Sequence, residues 1–169
     1  MTETVSIPSA PPTVSHILGE ITWLLSQSPL HRGLAIGDLE WLVMPAILTR
    51  QFYVFRDGEQ PVGVALWATC SPEAAKKLEA GVLDAQNRLL LGDWTSGDEL
   101  WLIDLVAPFA NAENKQREIM IADLISAPLK GRALRFHRTD PQTGERAVQV
   151  IEADAGDRLR DAMEQAAKA

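Results

Sequence analysis

Three features that many proteins carry are scarce or missing in this sequence. The chain has one cysteine, Cys70, which excludes an internal disulfide bond and is typical of a reducing compartment. No apolar run approaches the roughly 18 residues that a membrane-spanning helix needs. Residues 1–15 contain no lysine, no arginine and no apolar stretch, so they lack the pattern of a secretory signal. These absences predict a cytoplasmic protein without a membrane span.

Sequence motifs for metal ions and nucleotides are missing as well. No spacing of cysteine and histidine is typical of a zinc site, and no glycine-rich loop of the phosphate-binding kind is present. The formal net charge of −7 argues against a general nucleic-acid binder. We therefore expect no metal site and no nucleic-acid partner.

The acidic charge is unevenly distributed along the chain. Residues 115–138 contain six basic and two acidic residues, a local net charge of +4. One interpretation is a helix face and an edge strand whose charges point into solvent. The other is a docking face for an acidic partner, for which the candidate residues are Lys115, Arg117, Arg132 and Arg135.

The length and the apolar content predict one domain with a substantial core. We assign this domain to residues 15–169 and a flexible N-terminal tail to residues 1–14. Hydrophobic periodicity and turn residues predict the order helix, helix, hairpin, helix, strand, helix, hairpin, helix. This order indicates an α/β or α+β domain with a mixed, mostly antiparallel sheet flanked by helices.

The element boundaries follow from caps, prolines and turn residues. Asp38 is a plausible N-cap for the second helix, which Pro45 would kink or cut. In the fourth helix, Ile119 and Met120 are expected to point mostly inward. The predicted helices are 14–25, 38–48, 72–80, 112–126 and a closing helix after Gly156, and the predicted strands are 51–56, 61–69, 99–106, 132–139 and 146–151.

His31 and Asp104 are the residues that we expect to carry chemistry. His31 follows the helix end at Ser28-Pro29 and lies in an irregular loop, where functional groups are often presented, although a lone loop histidine is more often inert. Asp104 stands in an apolar strand, so its carboxylate needs a partner. The backbone at a bulge could provide that partner. The alternative is that Asp104 faces His31, holds its tautomer and raises its basicity.

The remaining candidates have ordinary structural interpretations. Ser28 could donate a hydrogen bond to an oxyanion or cap the loop. Ser96 is expected to belong to a turn, and Cys70 to the core. His16 is expected to be exposed or capping, and His137 to be a half-buried packing residue.

Two blocks of sequence resemble a known family. They are Ser28-Pro29-Leu30-His31-Arg32, and Asp93-Trp94-Thr95-Ser96-Gly97-Asp98 followed by Trp101-Leu102-Ile103-Asp104 and Ala107-Pro108-Phe109. With weaker matches between and after them, they extend the resemblance over residues 17–152. The chain resembles the toxin-activating lysine acyltransferases, the hemolysin-activator family that modifies RTX protoxins.

The resemblance implies both a fold and a reaction. It implies a fold like that of the Gcn5-type N-acetyltransferases, and the transfer of a fatty acyl chain from acyl carrier protein to the ε-amine of internal lysines of an RTX protoxin. It implies that His31 and Asp104 are the catalytic pair. It also implies, less strongly, a catalytic role for Ser28. Whether His31 acts as a base or carries the acyl group stays open.

The residues themselves support a donor without a nucleotide. Residues 107–113, after the strand that carries Asp104, contain no glycine and include an acid, so a coenzyme A pyrophosphate would find no cradle there. We therefore expect no bound cofactor, and a 4′-phosphopantetheine thioester on acyl carrier protein as the donor. Acyl carrier proteins are acidic, which suits the basic segment.

Some features depart from the family, and some alternatives stay open. In this chain, residues 33–35 stand where the family often has an aromatic residue followed by proline, so the family's preference for a particular acyl-chain length cannot be assumed here. Tyr53 and the tryptophans are expected in the core, although some of them could line a slot for the acyl chain. A different amine acceptor, or a non-catalytic module that binds the acyl carrier, would also fit. A homodimer is left open as the assembly.

Overall fold

A five-stranded sheet lies at the centre of the computed structural model, which describes residues 11–81, 84–140 and 142–168. The elements, in chain order, are α1 Val14–Gln27, α2 Leu39–Leu42, α3 Met44–Leu48, β1 Phe52–Asp57, β2 Gln60–Cys70, α4 Pro72–Ala80, β3 Glu99–Val106, α5 Gln116–Ser126, β4 Leu134–Thr139, β5 Arg146–Ile151 and α6 Ala155–Lys168. The strand order in the sheet is β1-β2-β3-β4-β5. Within the described ranges, no helix is long and apolar enough to cross a membrane.

Most contacts between neighbouring strands are antiparallel. The exception is the contact between β3 and β4, which is parallel and is connected through α5 as a strand–helix–strand crossover. The predicted mixed, mostly antiparallel sheet with flanking helices is therefore confirmed. The likeness to Gcn5-type N-acetyltransferases is consistent with this sheet and stays a prediction.

The parallel contact between β3 and β4 is short. Its pairs are Leu100 with Leu134 and Trp101 with Arg135, and the described residues form no pair between these strands beyond Trp101. Within the described part of the chain, residues 102–106 of β3 therefore have no paired residues on the side of β4, which leaves an opening in the hydrogen-bonded ladder of the sheet.

Helices cover both faces of the sheet with apolar side chains. On one face, Leu24 of α1 packs in the same buried cluster as Leu66 of β2. On the other, Leu124 of α5 belongs to a cluster with Trp67, the next residue of β2. Successive strand residues point to opposite faces, so β2 contributes to both clusters. Each fully buried side chain of this size stabilises the fold by about 1.5–3 kcal/mol.

A β-bulge in β3 decides which face of the sheet receives Asp104. Leu66 pairs with Asp104 and Trp67 pairs with Leu102, so Ile103 is an extra residue in the ladder. Residues paired directly across two strands share a face, which places Asp104 with Leu66 on the α1 side. Without the extra residue, the alternation would point Asp104 toward α5.

The second helix, predicted over residues 38–48 with a kink or cut at Pro45, is cut into two short helices. The structure has a short 3₁₀ turn that ends at Asp38, then α2, and then α3 after a break at Val43. Pro45 lacks an N–H group and its ring crowds the preceding turn, which interrupts the helix as its presence predicts. The Asp38 carboxylate accepts the backbone N–H of Ala35, which lies before α2, so it does not cap α2 by its side chain.

The helix predicted from Ala112 begins four residues later, at Gln116. Asn111 and Asn114 explain the delay, because their side-chain oxygens accept the backbone N–H groups of residues 111, 113, 114 and 116. Such local hydrogen bonds compete with helix formation.

The inward position predicted for Ile119 is also wrong. This side chain is 55% exposed, whereas its neighbour Met120 is buried as predicted. The buried stripe of α5 runs through Met120 and Leu124 at a spacing of four residues, and Ile119 lies beside that stripe.

The first helix agrees with its sequence pattern. It begins at Val14 after the N-cap Thr13, whose hydroxyl accepts the backbone N–H of His16. Of the predicted tail at residues 1–14, residues 1–10 lie outside the described part of the chain, as does Pro141 of the predicted turn before β5.

Candidate active site

A tight turn at the end of α1 presents His31. The backbone N–H of Ser28 donates to the carbonyl oxygen of Leu25 and closes the helix. The carbonyl oxygen of Ser28 then accepts the backbone N–H groups of His31 and Arg32, at 3.0 and 2.9 Å. Ser28 is 6% exposed. These bonds hold the histidine backbone in place, which a rigid catalytic group requires.

Three side chains form a continuous hydrogen-bonded array across the α1 face of the sheet. His31 Nε2 lies 2.8 Å from Asp104 Oδ2, and His31 Nδ1 lies 2.7 Å from Ser28 Oγ. The His31 and Asp104 side chains are 16% and 21% exposed. The structure therefore brings together all three predicted catalytic residues, which are separated by up to 76 positions in the sequence.

The hydrogen bonds define the histidine tautomer. A carboxylate only accepts, so Nε2–H donates to Asp104. In the neutral ring, Nδ1 is then unprotonated and accepts the hydroxyl hydrogen of Ser28. When the ring is protonated, Nδ1–H donates to the serine oxygen instead. Nδ1, together with the hydroxyl of Ser28, is therefore the side of the ring that can take up a proton from a substrate.

The environment of His31 makes its ring more basic than usual. The hydrogen bond to Asp104 raises the pKa of His31 above its ordinary value of 6.5, and the carboxylate charge adds to this. Burial and the positive charge of Arg117 act in the opposite direction, but the raising influence dominates. A raised pKa suits a group that must remove a proton from an amine.

Replacing Ser28 with alanine is expected to reduce acyl transfer about fivefold. The hydroxyl contributes one hydrogen bond to His31, and such a bond is worth on the order of 1 kcal/mol. The measurement is kcat/KM of Ser28→Ala beside Ser26→Ala, whose hydroxyl donates to the carbonyl of Trp23 on the same helix end. Complete loss of transfer in Ser28→Ala, with an acyl-serine trapped in the wild type, would contradict this role and make Ser28 the nucleophile.

Comparisons with known proteins identify the family of the chain. Residues 10–152 match the sequence profile described as HlyC, the RTX toxin acyltransferase family. The chain belongs to this family. The family resemblance and the enzyme class predicted from the sequence, an acyltransferase, are therefore confirmed.

Individual members of the RTX toxin acyltransferase family align with moderate identity. The chain is 32% identical to the RTX-II toxin-activating lysine-acyltransferase ApxIIC of Actinobacillus pleuropneumoniae over 133 residues, 77% of each chain. It is 38% identical to the protein-lysine myristoyltransferase HlyC of Escherichia coli over 95 residues, 56% of this chain and 54% of the relative. It is 37% identical to the leukotoxin-activating lysine-acyltransferase LktC of Pasteurella haemolytica-like sp. (strain 5943B), over 58% of this chain and 57% of the relative. The chain thus spans little more than half the length of the last two relatives.

The first part of the second block, residues 93–98, has a structural role. Trp94 is 1% exposed, and its carbonyl oxygen accepts hydrogen bonds from Gln51 and Thr69. The Ser96 hydroxyl donates to the carbonyl oxygen of Asp93, and its oxygen accepts the backbone N–H of Ser71, so Ser96 belongs to the turn as predicted. These bonds fix the start of β3 and thereby the position of Asp104 farther along it.

Other predicted positions are structural. Cys70 is fully buried, and burial raises the pKa of its thiol to about 11. His16 is exposed. His137 is half-buried, and its Nε2 donates to the carbonyl oxygen of Leu78. These predictions are confirmed.

The four basic candidates do not form one compact cluster. Lys115 and Arg117 lie at the start of α5, whereas Arg132 and Arg135 lie beyond its other end, before and in β4. The 11 residues of α5 correspond to about 16 Å of helix. Arg117 is the member near the active site, since its charge acts on the pKa of His31.

Sequence patterns did not identify two features of the site. One is the extra residue Ile103, which turns Asp104 toward His31, because alternation alone does not show a bulge. The other is the contact of Trp23 with Phe109, whose ring centroids are 5.8 Å apart. The one sequence feature that points to this contact is the position of Phe109 directly after Ala107-Pro108, within the second family block.

Proposed function

We propose that the protein transfers a fatty acyl chain from acyl carrier protein to the ε-amine of internal lysines of an RTX protoxin and thereby activates the toxin. The names of its relatives support the lysine acceptor and the toxin substrate. The observation that carries the proposal is the array of Ser28, His31 and Asp104, which provides an oriented base beside an opening in the sheet.

The reaction is aminolysis of a thioester. The lysine nitrogen attacks the thioester carbonyl carbon, and an N–C bond forms while the C–S bond breaks. His31 takes the proton that the amine loses, through Nδ1 and the hydroxyl of Ser28, and returns it to the departing pantetheine sulfur. Asp104 stabilises the imidazolium that exists between these steps. Backbone amides of β3 beyond Trp101, where β4 no longer pairs, are our candidates for oxyanion donors.

The loop after β3 favours a donor without a nucleotide. In enzymes that bind a pyrophosphate at such a place, free backbone N–H groups at a helix start hold it. Here the backbone N–H groups of Asn111, Glu113, Asn114 and Gln116 are bonded to the side-chain oxygens of Asn111 and Asn114. The loop has little capacity left for a pyrophosphate, which supports a phosphopantetheine on acyl carrier protein.

Reversing the charge of Arg117 is expected to weaken binding of the acyl carrier protein about tenfold at low ionic strength. The carrier is acidic, and Arg117 lies in the first turn of α5. That end of the helix is near His31, where the carrier must deliver its thioester. Arg132→Glu, at the other end of α5, is the matched variant and should have a smaller effect. The measurement is Kd at two salt concentrations. Equal effects of both variants would favour a docking face along all of α5, and no effect of either would contradict carrier docking by these residues.

Transfer in vitro tests the proposed function. Purified protein, acyl carrier protein charged with a myristoyl chain, and a purified RTX protoxin are mixed, and the protoxin is mapped by peptide mass spectrometry. We expect an amide-linked acyl group on internal lysines. Acylation of small amines without acylation of the protoxin would indicate another acceptor, and carrier binding without consumption of the thioester would indicate a non-catalytic module.

A further inference from the structure

An open groove runs beside α1 on the side of the β1–β2 hairpin. Its volume is about 530 Å³, within the range of small-molecule sites. The groove is lined by residues of α1 and of the hairpin, namely Ser15, His16, Gly19, Glu20, Trp23, Gln60 and Pro61. The α1 residues follow the three- and four-residue spacing of one helix face.

Gly19 is out of place for a helix, because glycine in a helix interior is less stable than alanine. A Cβ atom at this position would meet nothing within 4 Å, so packing does not require a glycine here. Its backbone has ordinary helical geometry, so conformation does not require it either. What the missing side chain does provide is open space in the wall of the groove.

Two contacting aromatic side chains connect the groove to the loop that follows β3. Trp23 lies five residues before Ser28 on α1, about 7.5 Å along the helix. Its ring contacts Phe109, which lies five residues after Asp104. Trp23 and Phe109 are 39% and 38% exposed, so both present apolar surface between the groove and the catalytic array.

The charged groups at the groove are already paired with each other. Both guanidinium nitrogens Nη1 and Nη2 of Arg56 donate to the Glu20 carboxylate, at 2.7 and 2.6 Å. His16 lies 3.5 Å from the same carboxylate. The Arg56 pairing holds the pKa of Glu20 below its ordinary value, so this carboxylate stays ionised and occupied. A lysine-bearing peptide would find no free carboxylate here, whereas a hydrocarbon chain needs none.

We propose that this groove binds the distal part of the fatty acyl chain while its thioester lies at His31. The inference rests on the proposed function and names the site of its lipid. The chain passes Trp23 and Phe109 and ends in the space beside Gly19. Each methylene removed from water strengthens binding about fourfold, so a chain long enough to reach the groove binds more tightly than a short one.

Filling the groove tests the proposal. In Gly19→Leu the added side chain occupies the space of about three methylenes, so the ratio of kcat/KM for palmitoyl to that for butyryl carrier protein should fall about 60-fold. Thr22→Leu is the control, since Thr22 is exposed on the same helix and does not line the groove. Its ratio should stay at the wild-type value. Binding of palmitoyl-pantetheine, measured by calorimetry, should weaken in Gly19→Leu alone.

The outcomes separate this inference from the proposed function. Slower transfer of both chains by the same factor would overturn the inference and place the acceptor peptide in the groove. An unchanged ratio would overturn it while leaving the acyltransferase intact. Absence of transfer by the wild type would contradict the proposed function, and the calorimetric comparison would still decide whether the groove binds a long chain.

Discussion

Replacing His31 with alanine is expected to lower kcat/KM for acyl transfer about 1,000-fold. His31 is the base of the array, and a positioned general base contributes on the order of 100- to 10,000-fold. The ring is partly exposed, and the turn around it is held by backbone bonds that alanine keeps, so the variant should fold. Transfer is measured by mass spectrometry of the protoxin, and folding by circular dichroism.

Two comparisons make this result specific. His137→Gln is the matched variant, because glutamine can keep the donation to the Leu78 carbonyl oxygen, and its activity should stay within about threefold of the wild type. Added imidazole should restore part of the activity of His31→Ala, since it can enter the space left by the ring. Full activity of a folded His31→Ala would remove His31 from the reaction.

Replacing Asp104 with asparagine is expected to lower kcat about 100-fold or more. The carboxylate fixes the ring with Nε2–H toward it and stabilises the imidazolium, and a neutral amide does neither as well. Acyl transfer needs neutral His31, so the rate rises with pH through the pKa of that ring. Because the hydrogen bond to Asp104 is what raises this pKa, the pH midpoint of kcat/KM should shift downward in the variant.

The control for this variant is Asp98→Asn. Asp98 is exposed at the opposite end of β3, so its replacement removes the same charge without touching the array. Its rate and pH midpoint should match the wild type. A normal rate in Asp104→Asn would mean that the carboxylate serves only to hold the turn.

The contact between His31 and Asp104 could be predicted because the cost of burying the Asp104 carboxylate can be inferred from its neighbours in the sequence alone. An aspartate among apolar strand residues needs a partner wherever the strand lies, and the family blocks supplied the histidine. The face on which Asp104 lies was beyond prediction, since the alternation of β3 gives opposite answers with and without the extra residue Ile103.

The errors along the chain arise where hydrophobic periodicity does not report the interaction that decides the structure. The side-chain oxygens of Asn111 and Asn114 accept backbone N–H groups that would have no partner in the first turn of a helix. The spacing of apolar residues does not reveal these competing hydrogen bonds. Ile119 has the spacing of a core residue, but the helix is rotated so that Met120 takes the buried stripe. The groove at Gly19 shows the same limit, because an absent side chain leaves no hydrophobic signal.

Titration of the His31 imidazole by NMR tests the central claim most directly. In the wild type we predict a pKa above 6.5, with neutral His31 protonated at Nε2, and in Asp104→Asn a pKa clearly below the wild-type value. This pairing stabilises the fold below pH 6.5 and loses that contribution as the pH rises through the raised pKa, so the stability difference between the two proteins should shrink at high pH. The same His31 pKa in both proteins would contradict the array on which the proposed catalysis depends.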